Sequence, residues 1–294
     1  VSLEVGTGKA GEVNTMLEAL QRGREDDQFF SDFFLNRRLH DGQLEYVQNA
    51  NATVNCLATA NRYGKTTVLL HVHTKACVYK TGGEPKYAAD GEVDDLAFFQ
   101  LRYHTIHTAG DFETAALVWE DAHKIRNESA NLRALIKDAP RSKPPHIDFI
   151  TGSRWKFRTL GYDASGIDGN SFYVITIDEA GWIDGLEKMM GNVIRVRVAD
   201  VRGVIHLVGT FKPGISKDFY KFCVRASAYT GKGITLDHRS GDQGEEAVAI
   251  SSLDLAIKRY LVDYFQGRDV SDELAADLGR LGITPDEYAD AVMP

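Results

Sequence analysis

The sequence predicts an α/β fold, with a mostly parallel sheet flanked by helices on both faces and a small helical subdomain after it. Three observations carry this. Predicted strands alternate with predicted helices along the chain. The central strands TVNCLAT (53–59), YVITID (173–178) and GVIHLVG (203–209) are nearly continuous apolar runs. Strands of that kind are buried on both faces, as in parallel sheets. Finally, 43% of the 294 residues are hydrophobic, enough for a sizeable core.

Residues 1–12 are Gly-rich and polar and read as a flexible N-terminal arm. From Val13 to Arg38 the apolar positions recur at helical spacing. Phe29, Phe30, Phe33 and Phe34 share one face there and are expected in the core. Gln43–Ala50 reads as a second, short helix. Thr53–Thr59 is β-branched and apolar, the first core strand. After Gly64 a helix is expected over Lys65–Lys80. Tyr79–Asp95, polar with Gly82 and Gly83, reads as an excursion loop. Leu101–Thr108 (LRYHTIHT) alternates like a strand.

Asp111–Ile136 reads as one long helix, with Ala115, Val118, Trp119, Ala122, Ile125 and Leu132 near one face. Pro140, Pro144 and Pro145 end it. Ile147–Ile150 and Arg154–Phe157 pair as a hairpin across Thr151-Gly152-Ser153. A glycine-punctuated loop, Gly161–Asn170, leads into the strand that ends at Asp178. These elements define a core over 13–236. Residues 239–247 (RSGDQGEEA) form a loop, and Leu253–Gln266 and Ser271–Val292 read as helices of a lid or linker over 237–294.

Composition narrows the function. No apolar stretch is long enough to span a bilayer, so no membrane is expected as a partner. Cys56, Cys77 and Cys223 are scattered, without a Cys-x-x-Cys, and read as free thiols of a reducing compartment. The pairs His71/His73 and His104/His107 lack a Cys or carboxylate at ligand spacing, which argues against zinc. A net charge of −8 excludes a surface that is basic throughout.

Two motifs carry the chemistry. The first, Thr59–Thr67 (TANRYGKTT), lies between a predicted strand and a predicted helix. A phosphate loop reads Gly-x-x-x-x-Gly-Lys-Ser/Thr. Thr59 stands where the first Gly is expected, so the strict pattern fails. Gly-Lys-Thr alone is a weak signal, and an ordinary helix start with an exposed lysine competes with it. The strand–loop–helix context favours phosphate binding, because N–H groups at a helix N-terminus then face the phosphates. The nucleotide-binding candidates are Thr59, Ala60, Asn61, Arg62, Tyr63, Gly64, Lys65, Thr66 and Thr67. Lys65 would reach the terminal phosphates and Thr66 would ligate magnesium, while Arg62 would contact the terminal phosphate or stand as a surface loop charge.

The second motif is Asp178-Glu179, at the end of an apolar strand. Burying two carboxylates in a core is costly, so they are expected at the strand's carboxyl end, over a ligand. Asp178 is the candidate magnesium partner and Glu179 the base that activates water. A solvated acidic turn is the competing reading. Gly209-Thr210, ending the next strand, would lie beside the terminal phosphate and report hydrolysis. ATP and Mg2+ are the expected cofactors. The fold class sharpens to a P-loop NTPase of the ASCE, RecA-like kind.

Gln43 in DGQLEYVQ, the Arg-containing loop TANRYGKTT, ITIDEA and LVGTFKPG follow one another in an order that resembles the ATPase domain of large terminases, the DNA-packaging motors of tailed bacteriophages. The resemblance covers roughly 28–225. Thr59 and Arg62 match that family's departures from the ordinary loop. The resemblance implies that Gln43 contacts adenine, Arg62 the terminal phosphate, and Gly209-Thr210 couples hydrolysis to motion. It implies an arginine from a neighbouring subunit, for which Arg126, Arg141, Arg154 and Arg158 are candidates. The family's Arg-Gly is replaced here by Asp168-Gly169.

The implied partners are double-stranded DNA, the portal of a procapsid, a small terminase subunit and further copies in a ring, a pentamer on the capsid. The implied place is the host cytoplasm, transiently docked on the procapsid and not in the mature virion. Nothing after Asp237 resembles the family's nuclease, so no DNA cleavage is expected of this chain. Basic residues between 186 and 225 (Lys188, Arg195, Arg197, Arg202, Lys212, Lys217, Lys221, Arg225) would line a DNA pore or form a solvated face. The competing functions are a helicase-like nucleic-acid-dependent ATPase not involved in packaging, and a nucleotide-binding assembly module without turnover.

Overall fold

The computed structural model describes residues 16–50, 52–59, 61–83, 102–140, 144–161, 164–167, 169–211 and 216–230. The arm expected over 1–12, the excursion loop from 84 onward and the lid over 237–294 lie outside the described residues. So do Ala60, Arg141, Asp168 and Lys212.

The element order is α1 (Met16–Glu25), α2 (Asp27–Leu35), α3 (Asp41–Asn49), β1 (Val54–Ala58), α4 (Lys65–Tyr79), β2 (His104–Ala109), α5 (Phe112–Glu128), α6 (Ala130–Leu135), β3 (Ile136–Asp138), β4 (His146–Phe149), β5 (Arg154–Thr159) and β6 (Val174–Asp178). Then come α7 (Leu186–Met189), a π-helical turn Met190–Ile194, α8 (Arg195–Ala199), β7 (Val204–Gly209) and α9 (Lys217–Thr230). Seven strands form one sheet in the order β1-β7-β6-β2-β5-β4-β3. β2 is parallel to both β5 and β6, while β3/β4 and β4/β5 are antiparallel. The sheet is mostly parallel, as the apolar runs predicted, and its β3-β4 edge is antiparallel. Every residue of β6 is buried. Among the described residues, no helix is long and apolar enough to cross a membrane.

Two expected helices are each divided. The helical pattern from Val13 to Arg38 breaks at Asp26, whose carboxylate accepts from Phe29 N at 2.9 Å and caps α2. The pattern from Asp111 to Ile136 breaks at Ser129. Its N–H bonds to Ile125 O and closes α5, while its side chain accepts from Leu132 N and opens α6. In both cases a capping side chain satisfies donors that a continuous helix would have used internally. Ile136, the expected helix end, instead starts β3. The four phenylalanines of α2 are buried, as expected.

The chain divides into two units, one of Val1–Asn55, Thr66–Asp178 and Met189–His206, the other of Cys56–Lys65, Glu179–Lys188 and Leu207–Pro294. The first has a core rich in buried histidine and threonine under α4. Asp27 accepts from His71 at 2.9 Å and from Lys75 at 2.6 Å, tying α2 to α4. Burial would raise the Asp27 carboxyl, but those two hydrogen bonds outweigh it and hold it below its ordinary value. Cys77 is buried and its thiol is pushed up to about 12 by desolvation. In the second unit, Phe211 packs on Phe219 and Tyr220 of α9.

Candidate nucleotide site

The loop between β1 and α4 is built from two left-handed residues. Arg62 has φ 63° and Gly64 φ 88°. Glycine adopts that conformation without steric cost. The turn at Gly64 delivers Lys65 as the first residue of α4, so the helix begins where the loop ends. Thr59 N donates to Gly209 O at 3.0 Å, so the loop starts tied to the end of β7. The Thr59 hydroxyl is buried and has no hydrogen-bond partner among the described residues.

Lys65 joins three motifs that are far apart in sequence. Its ammonium donates to the Thr210 hydroxyl at 2.9 Å and lies 4.0 Å from the Glu179 carboxylate. The Thr210 hydroxyl in turn donates to Asn61 Oδ1 at 3.4 Å, back on the loop. Thr66 follows Lys65 directly, and Asp178 directly precedes Glu179. Asp178 closes β6 and is 7% exposed, whereas the Glu179 side chain is 32% exposed. The strand therefore ends with one sheltered carboxylate and one that water reaches.

Glu179 has φ 48° and ψ 41°, left-handed geometry for a residue that carries a side chain. That conformation costs about 1–2 kcal/mol relative to the right-handed one. It turns the chain out of β6 into a 3-10 turn, Ala180–Trp182. This turn packs tightly on the end of β7. A Cβ on Gly181 would lie 2.3 Å from Thr210 O, and one on Gly209 would lie 3.0 Å from Ala180 N. Ser216 Oγ donates to Gly181 O at 2.8 Å. Gly181 and Ser216 belong to neither sequence motif, and the glycine two residues after Glu179 is the one trace this packing leaves in the sequence.

No family model matches the chain, and no curated protein matches it in sequence. Solved structures do. The large terminase ATPase domain of Thermus phage P74-26 superposes with a TM-score of 0.50 at 13% identity, over 68% of this chain and 74% of that one. The fold is that of a phage large terminase ATPase domain. The large terminase of bacteriophage HK97 gives a TM-score of 0.49 at 13% identity, over 80% of this chain. This chain spans 50% of the length of the HK97 protein.

Several residues expected from the terminase resemblance have other engagements. Gln43 is 3% exposed and belongs to a capping box: its side-chain oxygen accepts from His40 N at 3.0 Å, while Gln43 N bonds to His40 Nδ1 at 3.4 Å. Its carboxamide oxygen thus holds the start of α3. Arg62 is exposed in the loop. Among the trans-arginine candidates, Arg154 makes a two-pronged pair with Asp148 at 2.6 and 2.8 Å, a committed geometry. Arg158 donates to Phe157 O at 2.9 Å. Arg126, in the last turn of α5, has a buried Nε without a hydrogen-bond partner among the described residues. Within the basic segment, Lys221 and Arg225 both pair with Glu187, at 3.6 and 2.9 Å, while Lys188, Arg195 and Arg202 are exposed.

Proposed function

We propose that this chain is the ATP-hydrolysing motor domain of a double-stranded DNA packaging machine, working as a ring of copies on the portal of a procapsid. The observation that carries the reading is the meeting of the loop lysine, the strand-end glutamate and the Gly-Thr threonine around one ammonium group. Such an arrangement suits a terminal phosphate, which needs a cation, a base for water and a hydroxyl that registers its departure. The likeness of the fold to a phage large terminase ATPase domain supports a packaging ATPase.

In this reading the backbone N–H groups at the start of α4 and in the loop hold phosphate oxygens. Lys65 meets the terminal ones, and Arg62 adds a second cation from the loop. The Thr66 hydroxyl and Asp178 carboxylate are hard oxygen ligands of the kind magnesium takes. Mg2+, when bound, neutralises charge on the phosphate oxygens. Glu179, more exposed than Asp178, takes the proton of the attacking water. Because Thr210 is bonded to Lys65 and its strand end is pressed against Gly181, a change at the phosphates is passed to β7 and to the Glu179 turn. Lys188, Arg195 and Arg202 offer cations to DNA on a chain that is acidic overall.

The test is ATP hydrolysis by wild type and by Glu179→Ala, with and without duplex DNA. Turnover that needs Glu179 and rises with DNA supports the motor. Equal, negligible rates in both proteins sink it. Unstimulated turnover points to a partner-dependent motor or to an ATPase unconnected with DNA, and procapsids bearing portal separate those two.

A further inference from the structure

Thr176 lies on β6 two residues before Asp178, so the two side chains stand on one face of the strand. His73 lies on α4 seven residues after Thr66, two helical turns along the same face. These faces meet, with His73 Nε2 2.8 Å from Thr176 Oγ1. His107 is opposite Thr176 in the parallel register of β2 and β6, and its Nδ1 is 2.9 Å from the same hydroxyl. All three residues are fully buried. Desolvation pushes His107 down to about 3 and His73 well below 6.5, so both rings are neutral. A hydroxyl donates one hydrogen and accepts others, so it can take N–H from one ring and give its own to the other.

This polar junction has a cost. His73 Nδ1 and His107 Nε2 are buried without hydrogen-bond partners among the described residues. An apolar packing would avoid those orphans, and the best-attested use of such buried polar groups is to fix register. What this register governs is visible from the spacing. Going from His73 back to Thr66, and from Thr176 forward to Asp178, moves toward the same end of the sheet.

We propose that the His73–Thr176–His107 junction sets the height of α4 against β6 and so fixes the Thr66 hydroxyl relative to the Asp178 carboxylate. Thr176 is thus a positioning residue for a divalent cation held by that pair. The inference rests on reading Thr66 and Asp178 as the magnesium ligands. It has a physical lever: a rigid helix carries a slip at His73 to Thr66, and magnesium demands near-ideal geometry.

The test compares wild type, Thr176→Val, Thr176→Ser and His73→Leu by binding of a fluorescent ADP, titrated with Mg2+ and repeated in EDTA. Thr176→Val should raise the Mg2+ concentration for half-maximal binding about tenfold, the scale of lost supporting bonds around a metal. Its binding in EDTA should match wild type. Thr176→Ser, which keeps the hydroxyl, should restore the wild-type value. His73→Leu should shift the Mg2+ requirement in the same direction, and the double variant with Thr176→Val should add little, since both remove one link. That second route serves if Thr176→Val does not fold. An unmoved Mg2+ requirement, equal losses with and without Mg2+, or no rescue by serine overturns the proposal alone. A wild type that binds no nucleotide in either condition overturns the phosphate-loop reading, and the proposal with it.

Discussion

The Lys65 ammonium donates to the Thr210 hydroxyl across 2.9 Å, joining the start of α4 to the end of β7. A hydrogen bond to a charged group is worth about 1.5–3 kcal/mol. Thr210→Val keeps the shape and removes that bond, so kcat should fall about tenfold or more. Thr210→Ser should retain most of the activity. Steady-state hydrolysis with an independent measure of ADP affinity checks this. A valine variant with wild-type kcat would remove Thr210 from the coupling.

Glu179 offers a test that separates strain from chemistry. Glu179→Ala and Glu179→Gly both lack the carboxylate, and both should lose turnover by about 10²–10⁴-fold, the usual contribution of a general base. Only alanine keeps a Cβ in the left-handed conformation. Glycine should therefore be the more stable of the two, by about 1 kcal/mol. Chemical denaturation of both variants measures the difference. Equal stabilities would show that the turn relaxes and stores no strain.

Gly181 is the contact through which the Glu179 turn meets β7. A methyl there would lie 2.3 Å from Thr210 O and 2.7 Å from Ser216 Oγ. The first is backbone and yields only if a strand end moves. Gly181→Ala should cost about 1–3 kcal/mol by overpacking, and hydrolysis should fall with the stability because the displaced carbonyl belongs to Thr210. A folded Gly181→Ala with full turnover would show that the two ends move independently.

The parts legible in the sequence are those that local chemistry marks. β1, β6 and β7 were visible as apolar runs, and α4 as a helix opened by Gly64. The carboxylates of Asp178-Glu179 and the Gly209-Thr210 pair stood out because they interrupt such runs. The helix breaks at Asp26 and Ser129 were not visible, since a capping side chain sits within an unbroken apolar period and only its hydrogen bond reveals it. β3 is three residues long and leaves no periodicity. The left-handed turn at Glu179 has no glycine to announce it. The meeting of His73 and His107 on Thr176 joins residues from three separate elements, which no spacing rule registers. His40 and Gln43 have capping-box spacing, but histidine is not among the usual capping residues.

Acid should unfold this protein through its buried histidines. Desolvation lowers His107 to about 3 and His206 to about 4, against an ordinary value of 6.5. The folded protein holds these rings neutral, while the unfolded chain takes up protons below 6.5. Stability is therefore full above 6.5 and is lost as pH falls from there toward 3–4. Asp27, held below its ordinary 3.8, withdraws further stability beneath that value. Each pH unit between the folded and unfolded pKa is worth about 1.4 kcal/mol, so His206 alone removes on the order of 3 kcal/mol by pH 4. That is a large share of the roughly 5–15 kcal/mol that holds a domain folded. His206 Nδ1 bonds to Tyr46 Oη at 2.8 Å, and an asparagine amide can stand in for that nitrogen without titrating. His206→Asn should flatten the dependence of unfolding free energy on pH between 4 and 6.5, whatever it does to stability at neutral pH. Urea melts across that range measure the slope. An unchanged slope would mean that His206 is protonated in the folded state and that its burial is not what makes the protein acid-sensitive.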